Sequence, residues 1–428
     1  NTSALGATHS IALGNNTNLK SSAAISYTRN DYNELFTGDE GKVLNTYRNN
    51  FKTRKWIFSS TANQKINART SLRTGVIANL IGYDYYQKSR ENPGDPVLVR
   101  INTSNNTSTL QAFTQVQYKA TRKLTFQAGL HYLQLLLNHS HSLEPRASVK
   151  FELNNRNSIA LGYGMHSQIQ GLGVYFAKTN NAEGQSVLPN KNLSFTKSAH
   201  YVFSFAHAFN PTLRLKTELY YQALSDVPVS IYDSLSFSTL NIRGDYITEA
   251  LVNKGTGRNY GIDISLEKHL SRNLYFILNQ SFYQSKYKAS DGIERDTRFN
   301  GQYLTNFTGG KDFPLRDGKR TLGIHVKMIN AGGFRTTPIN IAGSMEKGYT
   351  VYKEKEAFTL QNATYFRTDI RVSMKWNRKK LTSTLSLDIQ NVSNRKNIYD
   401  QRFDAFKGEV VNNYQTGLIP ILNYKIDF

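Results

Sequence analysis

The sequence predicts an all-β protein, an antiparallel transmembrane β-barrel with about 17 strands in 428 residues. Three observations carry this. Short runs alternate apolar and polar residues with period two, as strands facing two different solvents do. The connections between those runs alternate short and long down almost the whole chain, as tight turns on one side of a membrane and long loops on the other would give. A soluble sandwich spaces its strands regularly but has no reason to alternate its loops. The composition is that of one repetitive β-object, rich in Tyr (26) and Phe (23), poor in Pro (9) and without cysteine.

In chain order, Ala4–Gly14 and Leu19–Arg29 form the first strand pair around Asn15–Asn18. A polar excursion, Asn30 to about Asn50, precedes strands over Thr53–Gln64 and Thr70–Gln87. A second, Lys88–Thr107, precedes Ser108–Tyr118 and Leu124–Leu137. Asn138–Ser142 is short where a long loop is due. Ala147, Val149, Phe151 and Leu153 then oppose Arg146, Ser148, Lys150 and Glu152. After a tight Asn154–Asn157 turn come Ser158–Gln170, a loop of roughly Gly171–Lys191, and strands over Phe195–Phe209 and Leu213–Leu224. A long loop, about Ser225–Gly257, leads to Tyr260–Leu270 and Leu274–Lys286. A shorter one, Tyr287–Asn300, leads to Gln302–Phe313 and Arg320–Ala331, and Gly332–Thr364 is the longest loop. Phe366, Ile370, Val372, Met374 and Trp376 next oppose Arg367, Asp369, Arg371, Ser373 and Lys375. Past Asn377–Lys380, Leu381, Leu385, Leu387 and Ile389 alternate with Thr382, Thr384, Ser386, Asp388 and Gln390. After the loop Val392–Asn413, Leu422, Tyr424, Ile426 and Phe428 alternate with Asn423, Lys425 and Asp427.

Composition and motifs exclude several functions. No run of 18 apolar residues exists, so no helix crosses a membrane, although strands of about 10 residues, half of them facing lipid, still can. The net charge of +22 invites nucleic acid, but the Lys and Arg residues are spread over strands and turns with no basic helical stripe, so no nucleic-acid partner is expected. The absence of cysteine rules out a disulfide framework and thiolate metal sites. No catalytic constellation is present, neither HExxH, nor G-x-S-x-G, nor a phosphate-binding glycine loop, and no cofactor is implied. His139 and His141 have no third ligand beside them and read as polar loop histidines, not zinc or haem ligands. Glu91 and Asp95 alone are too few for calcium.

Two sets of residues remain as candidates. Arg367, Asp369, Arg371 and Lys375 load one strand face with charge, which suits the wall of a water-filled or plugged lumen better than a substrate rail. The loops Ser225–Gly257 and Gly332–Thr364 mix aromatics (Tyr232, Phe237, Tyr246, Tyr349, Tyr352, Phe358) with charges (Asp233, Arg243, Glu346, Lys353, Glu356). Such mixtures can stack on and hydrogen-bond a polar solute, and long loops in a compact fold are usually functional or disordered. Surface loops touching lipopolysaccharide or neighbours would carry the same residues.

The C-terminal stretch "LSLDIQNVSNRKNIYDQRFD" followed by "GLIPILNYKIDF" resembles the end of TonB-dependent outer-membrane receptors, particularly the Bacteroidetes type. "LEPRASVKFEL", "IALGYGMHSQIQGLGVYF", "NKGTGRNYGIDISLEKHLSRNLYF", "SFYQSKY" and "GGFRTTP" extend the resemblance over residues 1–428, one barrel domain. The resemblance implies a 22-stranded barrel whose first strands and N-terminal plug lie outside this chain; no leader is visible at Asn1–Ala4. It implies import of a scarce solute such as a ferric siderophore, cobalamin or an oligosaccharide, driven by TonB–ExbB–ExbD through the plug. It further implies outer-membrane lipid and lipopolysaccharide as surroundings, a periplasmic C-terminus, and a terminal signal of Tyr424, Ile426 and Phe428 read by the barrel-assembly machinery. A surface lipoprotein or a larger envelope complex is a further expected partner. A passive porin and a structural barrel within such a complex are the alternative functions.

Overall fold

The computed structural model describes residues 1–428 except 38–42, 91–94, 181, 182, 184, 243–246 and 248. Its framework is one antiparallel sheet of 18 strands, seventeen of them long and one, Glu294–Asp296, of three residues. The long strands are β1 (Thr2–Leu13), β2 (Thr17–Thr37), β3 (Val43–Lys65), β4 (Thr70–Ser89), β5 (Leu98–Lys119), β6 (Leu124–Leu135), β7 (His141–Glu152), β8 (Asn157–Gln168), β9 (Thr196–Asn210) and β10 (Leu213–Ser230). They continue with β11 (Leu251–Ser271), β12 (Leu274–Lys288), β13 (Tyr303–Pro314), β14 (Arg320–Ala331), β15 (Tyr365–Asn377), β16 (Thr382–Gln390) and β17 (Ile419–Asp427). Each pairs with its neighbours in sequence, and β1 and β17 are the two edges.

Side chains directly opposite each other in an antiparallel ladder share a face, so the register sorts the sheet into two surfaces. On one, Leu387 lies between Val372 and Leu422, and Leu385 between Met374 and Tyr424. Tyr163, Tyr201, Tyr221 and Tyr260 form a continuous row over four strands of the same surface. Leu422 is 71% exposed and Tyr201 50%. Apolar area on this scale is untenable in water and matches hydrocarbon. The other surface is polar: Arg371 sits between His325 and Asp388, and Arg146 between Gly129 and Gly164.

The short connections, 136–140 excepted, lie at one end, and five are closed by a side chain that supplies the turn's acceptor. Asn67 accepts from the N–H groups of Arg69 and Thr70, Asn154 from Arg156 and Asn157, and Asp317 from Lys319 and Arg320. Thr121 and Asn210 do the same at 120–123 and 211–212. The long connections, 169–195, 231–250, 289–302, 332–364 and 391–418, gather at the opposite end, and 136–140 is the short exception there, as its sequence indicates.

The ladder runs further toward that end than periodicity suggests. Asp31 to Glu34, expected in a loop, pair with Asn50 to Tyr47, and β2 continues to Thr37. Asn102–Thr107, also expected in a loop, pair with Tyr86–Ile81, and β5 starts at Leu98. Where both faces meet polar surroundings the alternation vanishes from the sequence, while the backbone hydrogen bonds do not need it. For the same reason the Ser225–Gly257 loop shrinks to 231–250, shorter than 169–195 or 391–418. The expected loop Val392–Asn413 contains a hairpin of its own, Ile398–Asp404 with Glu409–Tyr414, and the last strand begins only at Ile419.

Candidate functional site

Folded connections in three groups build the long-loop end. The first, 169–195, turns over the polar face and carries helix α1 (Leu172–Tyr175). Val174, Tyr175 and Phe176 pack on the ends of β4, β5 and β6, against Tyr83, Ile101 and Leu135. Phe176 lies 4.8 Å from the Tyr83 ring, and Phe51 stacks on Tyr85 at 4.6 Å. Tyr83 and Tyr85 sit on the polar-face positions of β4, so this cluster is apolar cover laid over the wet side of the wall. Tyr175 is wholly buried, and the loss of water pushes its hydroxyl up to about 12. Three amides fasten the cover. Asn138 donates to the carbonyls of Lys191 and Leu193, Asn190 bridges Glu249 and Leu251, and Asn253 donates to Ser194 and Asp226.

A second knot joins 289–302 to 332–364 and gives "GGFRTTP" a physical meaning. A Cβ on Gly332 would lie 1.7 Å from the Gly301 carbonyl oxygen, and one on Gly333 1.9 Å from that of Asn362, so only glycine permits these backbones to touch. Phe334 meets Phe299 edge-on at 5.7 Å, and Arg335 pairs with Asp296 at 3.3 Å. Phe358 packs on Tyr287, ring centroids 6.1 Å apart, with the Arg298 guanidinium 5.6 Å from its ring. Helix α2 (Ile341–Lys347) is capped by the Asn340 side chain and ends at Gly348, φ 74°.

The third connection, 391–418, is organised by the asparagines of "QNVSNRKN". Buried Asn397 mimics a paired strand residue, accepting from the Phe366 N–H at 3.0 Å and donating to its carbonyl at 2.9 Å. Asn391 is equally buried; its N–H donates to Asp369 and its side chain accepts from Arg395. The Phe403 N–H of the hairpin donates to Thr350, tying this connection to 332–364. At the hairpin tip Phe406 is 97% exposed.

The polar wall below is lined with paired charge. Arg367 forms a bidentate pair with Asp369 at 2.7 and 3.0 Å and reaches Gln390 at 2.9 Å. Arg371 pairs with Asp388 on β16, while Lys375 stands exposed nearer the short turns. On β6 to β9 lies a second polar group: Glu144 accepts from Arg146 at 2.8 Å and from Ser142 at 3.2 Å, and stands 3.0 Å from His131, with the His166 and His200 rings 4.6 Å apart beside them.

The structure places Arg367, Asp369 and Arg371 on one face of β15 in two separate pairs, Arg367 with Asp369 and Arg371 with Asp388. Of the loop aromatics, Phe358 is half-buried packing within the second knot, Tyr349 is half-buried, and Tyr232 and Tyr352 are exposed. Tyr246, Arg243 and Glu91 lie outside the described residues. Tyr424, Ile426 and Phe428 stand exposed at the edge strand and its end, the first two on the apolar face. Sequence reasoning passed over Tyr83, Tyr85 and the Glu144 group. The signal was available: Tyr83 and Tyr85 break a strand's polar parity with aromatic rings, and Glu144 alternates with apolar Leu143 and Pro145. Among the described residues no group of three metal-ligating side chains converges.

Residues 1–392 match the family described as TonB dependent receptor-like, beta-barrel, and the chain belongs to it. This is a family of transporters of the bacterial outer membrane, not of enzymes. No curated protein matches the sequence. Among solved structures the chain is similar to the ferric yersiniabactin uptake receptor FyuA from Yersinia pestis, at 12% identity and TM-score 0.67, over 100% of this chain and 61% of that one. It is similar to the ferric-catecholate import receptor Fiu from K12 E. coli, at 11% identity and TM-score 0.68, over 99% and 63%. The receptor BauA for ferric preacinetobactin from Acinetobacter baumannii gives 12%, 0.66, 100% and 63%. The chain thus spans under two thirds of the length of these receptors.

Proposed function

We propose that this chain forms the barrel wall of a Bacteroidetes-type receptor that imports a scarce solute of the siderophore, cobalamin or oligosaccharide class, energised by TonB–ExbB–ExbD through a plug. The polar face is then the lumen wall, with Arg367, Asp369, Arg371 and Lys375 on it, and the apolar face meets lipid and lipopolysaccharide. The knotted long connections face outward and carry Tyr232, Tyr349 and Tyr352 as solute contacts, with Tyr246 among them, while Phe358 holds the loops together. The C-terminus faces the periplasm, where Tyr424, Ile426 and Phe428 serve assembly, and a surface lipoprotein or larger complex adjoins the loops.

The single observation that supports this most is the union of a charge-lined polar face with long connections folded together at one end of it. A sealed structural barrel needs neither. Cells making the full-length protein should take up a labelled solute from a panel of these classes, and lose uptake when TonB is removed or the proton-motive force collapsed. Uptake indifferent to both would leave a passive porin, and no uptake at all a structural barrel. Deletion of Gly332–Thr364 should weaken solute binding while barrel remains in the membrane.

A further inference from the structure

The apolar surface of β2 to β4 stops at one rung. Ile25, Trp56 and Leu80 lie side by side there, with Trp56 48% exposed. Trp56 stands nine residues above the short-turn end of β3 at Lys65. At about 3.3 Å per residue and a tilt of about 40° that is a height of roughly 23 Å, close to the top of an apolar band about 25 Å tall. An exposed tryptophan at such a height is an interfacial anchor. The next rung of the same surface reads Tyr27, Arg54, Gly82 and Asn106. Arg54 therefore stands at the level of lipid headgroups, on the lipid side of the wall and on a strand flanked by others of this chain on both sides.

Arg54 differs from other cations on this surface. Lys197 lies 2.9 Å from Asp226 and Arg258 2.7 Å from Glu294. One rung beyond Arg54 on the same face, Lys52 lies 2.8 Å from Asp84 and Arg29 2.6 Å from Asp31. Arg54 is exposed and has no carboxylate partner among the described residues. The strand beside it is bare at Gly82. A Cβ there would meet Asn106 Oδ1 at 2.9 Å and otherwise only the Arg54 carbonyl oxygen, at 4.0 Å. The ground next to Arg54 is thus open but for the end of one flexible polar side chain. Further toward the long-loop end Arg48 and Lys88 face each other directly across the ladder. Like charges so placed repel unless an anion stands with them, and their field draws anions to this stretch of wall.

We propose that Arg54, with Lys52 and Asn106 as further donors, binds the phosphorylated headgroup of an outer-leaflet glycolipid whose acyl chains lie along Trp56 and Leu80. A guanidinium meets two phosphate oxygens at once, and the apolar rung below supplies chain contacts that a free anion lacks. The inference rests on the reading that this surface faces lipid and the long connections face outward. The test is native mass spectrometry of the purified full-length protein in detergent, with diphosphoryl lipid A as probe and the same lipid stripped of its phosphates as control. The phosphorylated lipid should be retained at least about threefold more tightly, the scale of an exposed charge pair. Arg54→Gln should abolish that preference and Arg54→Lys should keep most of it. Gly82→Asp, which sets a carboxylate beside an intact Arg54, should abolish it too, and decides the matter if the arginine variant assembles poorly. Arg122→Gln, removing an exposed cation at the short-turn end, should change nothing. Equal retention of the two lipids, an unchanged preference in Gly82→Asp, a loss in Arg122→Gln, or displacement of the lipid by millimolar inorganic phosphate would overturn the proposal. Binding is read in detergent, so proteolysis of cells that placed the long connections in the periplasm would move the lipid to the other leaflet and leave the site standing.

Discussion

Arg371 on β15 lays its guanidinium along the carboxylate of Asp388, its partner across the ladder on β16, with one nitrogen 2.8 Å from Oδ2. Asn423 of β17 donates to the same oxygen at 2.8 Å, so three successive strands are tied together on the polar face. One residue along each strand, Val372, Leu387 and Leu422 form a row on the apolar face.

This alternation sets the first prediction. Leu387→Arg, placing a cation in the lipid-facing row, should cost about 2–4 kcal/mol near mid-bilayer. Asp388→Asn, which weakens a partly exposed pair, should cost about 1 kcal/mol or less. Reversible folding into lipid vesicles measures both, and equal losses would reverse the assignment of the faces.

Assembly gives the second. Phe428 is fully exposed at the end of an edge strand whose Tyr424 and Ile426 share the apolar face. Deleting Phe428 should reduce heat-modifiable barrel in the outer membrane and leave unfolded chain in the periplasm. Unchanged barrel would remove the terminal aromatic from the assembly signal.

Topology gives the third. Chymotrypsin added to intact cells should cut first after Phe406, the exposed hairpin tip in 391–418, and spare Trp376 beside the turn 378–381. Cleavage at Trp376 with Phe406 intact would turn the protein over in the membrane.

The backbone contact of Gly332 with Gly301 gives the fourth. Gly332→Ala cannot keep a 1.7 Å approach, so 289–302 and 332–336 should separate while the barrel persists. Amide exchange in both segments should rise at least about tenfold, a local loss of about 1.4 kcal/mol, with exchange in β15 and β16 unchanged. Unaltered exchange would show that the knot is held by Arg335 and Phe334 instead.

The lipid-facing half of the sheet was legible in the sequence because each of its strands separates two solvents. Leu385 and Leu387 against Ser386 and Asp388 leave no other reading. The upper ladder was not legible, because Asp31–Glu34 and Asn102–Thr107 pair without the apolar–polar alternation that marks a strand. The site was legible in part. Arg367, Asp369 and Arg371 declare themselves by parity on one strand, whereas the cluster of Tyr83, Tyr85 and Tyr175 exists only when a connection ninety residues downstream of β4 folds back on it. Phe358 looked like a solute contact for the same reason: an aromatic among charges in a loop has the same local sequence whether it waits for a ligand or fills a gap beside Tyr287.

The strands are of very unequal length. β2 to β5 have 21, 23, 20 and 22 residues, and β14 to β17 have 12, 13, 9 and 9. At about 3.3 Å per residue the first group stands roughly 65–75 Å along its strands and the second roughly 30–45 Å. The rim is thus uneven, and it is low over β14 to β17 as it is over β6 to β8. On the tall side it is continuous ladder, in which no rung moves without its neighbours. Over β14 to β17 the two longest connections, 332–364 and 391–418, stand in for the missing height, held by the Thr350–Phe403 contact and a few asparagines. Those joints are few and local, so the mouth over β14 to β17 can change shape without disturbing the ladder below it.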